Sequence, residues 1–370
     1  MGVIAKIIVS GRKPEADEIK RVVVRGTNWV GDAVMTIPAL RELRRVLPHA
    51  HITLATRSWA RGLFSDADFV DDLLIYDRSP RDLRGLLRQV KEWRKMRFDL
   101  AVLFQNAFEA ALIATTARVP LRLGYATEGR RALLTHRLAV PAWKNERHEI
   151  FYYLNLISEL ERLLYGASNV ESREPLFALN VAEARRAEAR AYLIAQGAIT
   201  DRPLVALCPG SINSRAKRWP ADRYAALADR LIGETGANVA LIGSHDEVEV
   251  ATEVRALMRH QPLMLAGRTD LAQAVAILSV ADLLVTNDTG PAHIAAALDC
   301  PTLVIFGPTD PTTTRPYSPA SRIIRHPPDC APCMLRDCPI DHRCMTAIST
   351  EEVFAQSYAM MRLHTVEVET

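Results

Sequence analysis

No stretch of this 370-residue chain approaches the run of about 18 uncharged apolar residues that a membrane-spanning helix requires. A secretory leader is also lacking. The opening MGVIAKIIVSGRKPEADEIK has only a short apolar stretch, broken by Lys6 and followed by charge instead of a small-residue cleavage site. Both absences point to a cytoplasmic protein in which residues 1–19 form an N-terminal extension. There is no short internal repeat and no low-complexity tract, which excludes a repeat array. Nor is there a helix-turn-helix, an aromatic platform or an RNA-binding signature, which argues against a nucleic-acid partner. The common phosphate loops are missing from the first strand–helix junction. Its G-T-N-W-V-G-D is not G-x-G-x-x-G, because residue 28 is Asn, and not a Walker A loop, because Gly31 is followed by Asp32. A carboxylate there would repel a phosphate, so this loop should hold a reacting group and not the nucleotide.

What is present is 49% hydrophobic and 24% charged, enough for two domains with ample cores at about 150 residues each. Net charge is only +3, but residues 1–175 carry a surplus of +7 and the remainder −4. The basic stretches RDLRGLLRQVKEWRKMR (81–97) and EGRRALLTHR (128–137) are either solvated faces or patches for an anionic partner, nucleic acid or acidic lipid. RVVVRG, HITLATR, DDLLIYD and DLAVLFQ read as strands separated by helical patterns, a βαβ series and hence a parallel sheet. After a helix at 152–166 and a polar linker at 167–177, a helix at 181–197 leads into a second series, PLVALCPG, NVALIGS, LLVTND and PTLVIFG. The expected fold is α/β, two Rossmann-like doubly wound domains facing across a cleft, over 20–175 and 176–350, with a C-terminal helix at 351–370.

In open α/β sheets, ligands bind beyond the carboxyl ends of the strands. Within RGTNWVGDAVMTIPAL (25–40), Thr27, Asn28, Gly31 and Asp32 occupy such a loop, with Pro38 expected to bend the following helix. Asp32 is either the helix N-cap or a cleft carboxylate, and the two roles are compatible. In the second half, LLVTNDTGPAHIAAAL runs strand, turn, helix, with Pro291 suited to the first helical position. Backbone N–H groups around Thr289 and Gly290, with the helix dipole, favour a bound phosphate. His293 is either a donor to that anion or a buried structural histidine, and Asp288 either a binding or a turn residue. CPGSINSRAKRWP (208–220) adds short donors at Ser211, Asn213 and Ser214, and cations at Lys217 and Arg218. An ammonium beside a diphosphate offsets charge that builds on a leaving group. In LIGSHDE (241–247), Ser244, Asp246 and Glu247 could reach a ribose or adenine, although an acidic residue at a helix start is equally a dipole cap.

Cysteine is scarce. Six occur, four of them in CAPCMLRDCPIDHRC, where Cys330, Cys333, Cys338 and Cys344 enclose His342. A cytoplasmic chain has no need of disulfides. The cluster suits either a structural zinc or iron–sulfur site or free thiols, its spacing matching no common zinc finger. Cys208 and Cys300 lie in strand-like, buried contexts.

Taken together, RGTNWVGDAVMTIPAL, CPGSINSRAKRWP, LIGSHDE, LAGRTDLAQAVAILSVADLLVTNDTGPAHIAAAL and VIFGPTDPTTTRPYS resemble the ADP-heptose:lipopolysaccharide heptosyltransferases, glycosyltransferase family 9. The CPG opening, AKRWP and LAG-x-T-x-L are most like the heptosyltransferase II branch. The resemblance spans nearly all of residues 21–355. It implies the GT-B architecture, transfer of heptose from ADP-heptose with inversion, and no metal in catalysis. It further implies an inner-core acceptor, probed at the inner-membrane surface, to which the second heptose would be added. Asp32 matches the family's base, Lys217 the lysine at the donor phosphates, and Asp288, Thr289, Gly290 and His293 the donor motif D-[ST]-G-x-x-H. The 245–247 segment resembles the ribose contact without deciding between Asp246 and Glu247. The rival readings are another nucleotide-sugar transferase, a sugar-nucleotide epimerase, and a non-catalytic nucleotide- or nucleic-acid-binding protein.

Overall fold

Eight apolar runs ending in turn residues form strands in the computed structural model, which describes residues 15–368 apart from 78, 80 and 81, with side chains through Leu363. Most of the expected extension, residues 1–14, lies outside the described residues. The strands are β1 (Arg21–Arg25), β2 (His51–Thr56), β3 (Asp72–Ile75), β4 (Leu100–Leu103), β5 (Leu121–Tyr125), β6 (His136–Leu138), β7 (Leu204–Cys208), β8 (Asn238–Leu241), β9 (Leu263–Met264), β10 (Leu283–Asn287), β11 (Thr302–Phe306) and β12 (Ser321–Arg325). Four of these, β5, β6, β9 and β12, were not expected. They are short or interrupted by arginine, and lie towards the outer parts of their sheets, where one-sided burial leaves no continuous apolar run.

Two compact units result. One runs to Arg61 and resumes over Ala67–Leu176; the other takes Gly62–Asp66 and Phe177 onward. The first holds a parallel sheet in the order β3-β2-β1-β4-β5-β6, the second a parallel sheet in the order β12-β11-β10-β7-β8-β9. The central strands are buried on both faces: Val22, Val23 and Val24 in β1, and Leu283, Leu284 and Val285 in β10, are fully enclosed. That explains their unbroken apolar sequences. In each sheet the chain reverses its direction of winding beside the first strand, between β1 and β4 and between β7 and β10. These are the switch points, where loops diverge and leave room for a ligand.

The helix after β1 is interrupted at Thr36, two residues before Pro38. Val30–Met35 ends at Thr36, whose hydroxyl donates to the Ala33 carbonyl at 2.6 Å, and Ile37–Val46 then begins. Pro38 falls in the first turn of the new helix, where a missing N–H breaks no bond. The basic stretch at 81–97 is largely the helix Leu83–Met96. Among the described residues no helix is long and apolar enough to cross a membrane.

Candidate functional site

In the first unit a pocket of about 300 Å³ opens at the β1/β4 switch point. The loop after β1 supplies Thr27, Asn28, Trp29 and Asp32; the loop after β4 supplies Phe104, Gln105, Asn106 and Ala107; the helix Glu149–Tyr165 supplies Glu149, Tyr152 and Tyr153. Asp32 is not the N-cap of its helix. Trp29 holds that position with extended backbone, and Asp32 is the third helical residue, half-buried in the first turn. A carboxylate there still gains from the helix dipole, and it also faces the pocket. Gly31 is half-buried beside it. Thr27 Oγ1 and Asn28 Oδ1 are enclosed with no hydrogen-bond partner. Buried polar atoms are nearly always paired, so two orphans lining one pocket mark a place for a polar ligand.

The pocket wall is built from buried polar groups the sequence did not single out. Arg130 lies in the stretch read as a basic patch, yet it is fully buried. Its guanidinium donates to the carbonyls of Gln105 and Tyr125 and, at 2.6 Å, to Asn106 Oδ1. Burial lowers its pKa to about 10, which leaves it charged at neutral pH. Asn106 in turn donates to the Tyr152 hydroxyl at 2.9 Å, and Tyr152 stacks on Tyr125 with ring centres 4.0 Å apart. Burial pushes the Tyr152 phenol up to about 12. Glu149 pairs with Lys144, but burial still raises its carboxyl above the usual range. The only sequence signal for these residues was a polar FQN triplet at the end of an apolar strand.

The second unit repeats the arrangement at the β7/β10 switch point. Lys217, on the loop after β7, is not a loose surface charge. Its ammonium donates to Asp288 Oδ2 at 2.6 Å and to the Asp288 carbonyl at 3.2 Å. The Thr309 hydroxyl donates to the same carboxylate oxygen at 2.8 Å. Asp288 is thus buried and orients the lysine. Asn287, which no sequence argument identified, ties the switch point together. Its amide N–H groups donate to the carbonyls of Pro209 and Gly210, and its oxygen accepts from the Trp219 backbone and the Tyr224 hydroxyl. Thr289 is the N-cap of the helix Gly290–Ala297, so Gly290 and not Pro291 takes the first helical position. His293, in the first turn, is buried.

The other expected site residues divide. Ser211 is buried, while Asn213 is exposed. Ser214 is turned away from the phosphate role and donates to the carbonyls of Leu335 and Arg336. Asp246 is exposed, whereas Glu247 is buried and forms a capping box with Ser244, accepting from its N–H and its hydroxyl, each at 2.9 Å. A Cβ on Gly210 would lie 2.1 Å from Glu247 Oε1, so glycine is required where that carboxylate meets the β7 loop. Cys330 and Cys338 are exposed, Cys333 half-buried and Cys344 buried, all as free thiols. Among the described residues no three His, Cys, Asp or Glu side chains are gathered so that they could hold a metal ion, and the zinc reading of the cluster gains no support.

Comparison with known proteins places these sites in context. Residues 86–343 match the model of glycosyltransferase family 9 (heptosyltransferase). The chain is 32% identical to lipopolysaccharide heptosyltransferase 2 of Salmonella typhimurium over 323 residues, covering 82% of this chain and 88% of that one. The same enzyme of Escherichia coli is likewise 32% identical. Among solved structures, the E. coli ADP-heptose LPS heptosyltransferase II superposes with a TM-score of 0.79 at 27% identity, covering 93% of this chain and 99% of that one. A family 9 glycosyltransferase from Veillonella parvula superposes at 0.80 with 23% identity, covering 92% and 97%.

Proposed function

The chain belongs to glycosyltransferase family 9, the heptosyltransferases, and from that premise we propose that it moves heptose from ADP-heptose to the inner core of lipopolysaccharide, adding the second heptose. The similarity to heptosyltransferase 2 along most of both chains carries this reading. The two switch-point sites give it a mechanism.

The donor is assigned to the second unit. Its diphosphate would lie at the N-terminus of the helix Gly290–Ala297, beside the Thr289 and Gly290 backbone, where the helix dipole favours anions. Lys217, preset by Asp288, would meet the phosphate charge, with Thr289, Gly290 and His293 around it. Ser211 and Asn213 belong to the neighbouring loop. Glu247, held by Ser244 against Gly210, is better placed than exposed Asp246 to be a fixed acceptor for ribose hydroxyls.

The acceptor is assigned to the pocket of the first unit. Asp32 takes the proton of the attacking hydroxyl as its oxygen bonds to the anomeric carbon, and the bond from that carbon to the diphosphate breaks. ADP leaves with its charge already matched. An ordinary Asp has a pKa of about 3.9, so its value as a base comes from placement in the pocket. No metal is assigned a step. A lipid acceptor would bring the enzyme to the surface of the inner membrane; among the described residues no helix is long and apolar enough to cross it.

The test measures ADP release from ADP-heptose, with and without a lipid A–Kdo acceptor carrying one heptose. Wild type should release ADP only with acceptor. Asp32→Asn should lose at least about 10²-fold in turnover while ADP binding stays unchanged. Full turnover in the variant would remove Asp32 as the base, and acceptor-independent turnover would point to an epimerase or hydrolase.

A further inference from the structure

The cysteine-rich segment has no part in the reading above, yet it is joined to the proposed donor site from two sides. On one side it holds the Lys217 loop. Ser214 Oγ donates to the carbonyls of Leu335 and Arg336, both at 3.2 Å. The Ala216 N–H donates to the Arg336 carbonyl at 2.9 Å, and His342 Nε2 meets the Ala216 carbonyl at 2.5 Å. Arg215 pairs with Asp337 at 2.6 Å, an exposed pair of little energetic weight. On the other side, the Met334 N–H donates to the Pro308 carbonyl at 2.9 Å. Cys344 and Met345 pack on Gly307 so closely that an added Cβ would lie 3.1 Å from the Cys344 sulfur and 2.3 Å from the Met345 sulfur. Pro308 precedes Thr309, which donates to the carboxylate that pairs with Lys217. The run Met334–Asp337 therefore grips both loops that meet at the Lys217–Asp288 pair, and Cys333 and Cys338 bracket it.

We propose that this segment is a positioning element for the donor diphosphate, and that its exposed and half-buried thiols form a modification site through which the positioning is lost. Cys333 is half-buried immediately before the gripping run, so a bulky adduct there has to displace Met334–Asp337. Ser214 and Ala216 then lose their partners, and Lys217 loses its fixed place beside Asp288. Cys330 and Cys338, exposed, accept the same adducts. Cys208, the last residue of β7, and Cys300, just before β11, are both buried, which raises their thiol pKa and holds them unreactive.

This inference rests on the donor assignment of the preceding section, and its test separates the two. The full chain is treated with N-ethylmaleimide, whose double bond adds the cysteine sulfur at one carbon and the thiol proton at the other, with no oxidant consumed. Labelled positions are read by mass spectrometry, and affinities for ADP and for adenosine by calorimetry. Adduct at Cys330, Cys333 and Cys338 should weaken ADP at least about tenfold, the loss of one charge-assisted contact, and leave adenosine unchanged. A purely structural disturbance would weaken both. The triple variant Cys330→Ser, Cys333→Ser, Cys338→Ser should bind ADP as wild type does and ignore the reagent. Ser214→Ala, which leaves the thiols intact, should weaken ADP but not adenosine. Labelling at all three positions with ADP affinity unchanged overturns the proposal, as does failure of the folded chain to label at any of them. Untreated wild type that binds no ADP sinks the donor assignment, and this inference with it.

Discussion

Arg130 shows how much a single side chain can fix. An arginine is rarely fully buried without a carboxylate partner, and this one spends its donors on the Gln105 and Tyr125 carbonyls and on Asn106. Its planar fork suits three acceptors in different directions, which a lysine ammonium cannot match. Arg130→Met should leave those acceptors unsatisfied, at about 1–3 kcal/mol for each one that water cannot reach. The expected outcome is a chain destabilised by a few kcal/mol in denaturant titration, with a raised acceptor KM and unchanged ADP affinity. Arg130→Lys should recover part of the stability and little of the acceptor KM. Loss of ADP affinity in either variant would contradict the assignment of this side chain to the acceptor pocket.

At the scale of elements, the helix Glu149–Tyr165 does two jobs. Its first turns line the pocket, and its last turns are tied to the helix Ile37–Val46 that carries on from the Asp32 turn. The tie is Glu161. Burial pushes its carboxyl up, but the Arg45 hydrogen bond, the Ser168 hydroxyl, the Asn169 N–H and the Arg45 charge together outweigh that, and its pKa falls from 4.5 to about 2. A depressed carboxylate stabilises the fold above its unfolded pKa and loses that contribution as pH falls through the folded value. The contribution is on the order of 3 kcal/mol at pH 7 and should disappear between about pH 4.5 and 2. Glu161→Gln should therefore flatten the acid limb of stability against pH, while leaving the curve above pH 6 parallel to wild type. An unchanged acid limb would mean that other carboxylates dominate it.

The same elements show where sequence was legible. Central strands such as β1 and β10 announced themselves because burial on both faces demands unbroken apolar runs. Asp32, Lys217 and Asp288 were singled out because each lies on the segment that follows such a run, where an α/β sheet presents its ligands. What the sequence hid was partnership across long separations. Nothing local marks Arg130 as buried rather than basic surface, or Ser214 as a brace rather than a phosphate donor. Their partners lie 24 residues away at Asn106 and 122 residues away at Arg336.

For the whole molecule, the uneven charge becomes a physical expectation. The surplus of +7 over residues 1–175 is partly internal, since Arg130 is buried and Arg45 is paired, so it is not all available to a partner. The helix Leu83–Met96 is where it is most exposed. Arg84, Arg88, Lys91 and Lys95 lie on its outer face, beside Leu83 at 70% and Leu87 at 65% exposure, while Val90 and Trp93 hold the inner face to the core. Exposed leucines next to cations suit the boundary of an anionic bilayer. Each cation near such a surface is worth about 1 kcal/mol, and the interaction fades as the Debye length shrinks from about 10 Å at 0.1 M salt to 3 Å at 1 M. Replacing Lys91 and Lys95 by Ala should weaken sedimentation with phosphatidylglycerol-containing vesicles by roughly 30-fold at low salt. High salt should abolish the difference, and neutral vesicles should show none. Turnover on a detergent-dispersed acceptor should be unchanged, because the helix does not line the pocket that holds Asp32. Equal binding of variant and wild type to anionic vesicles would mean that this helix is a solvated face.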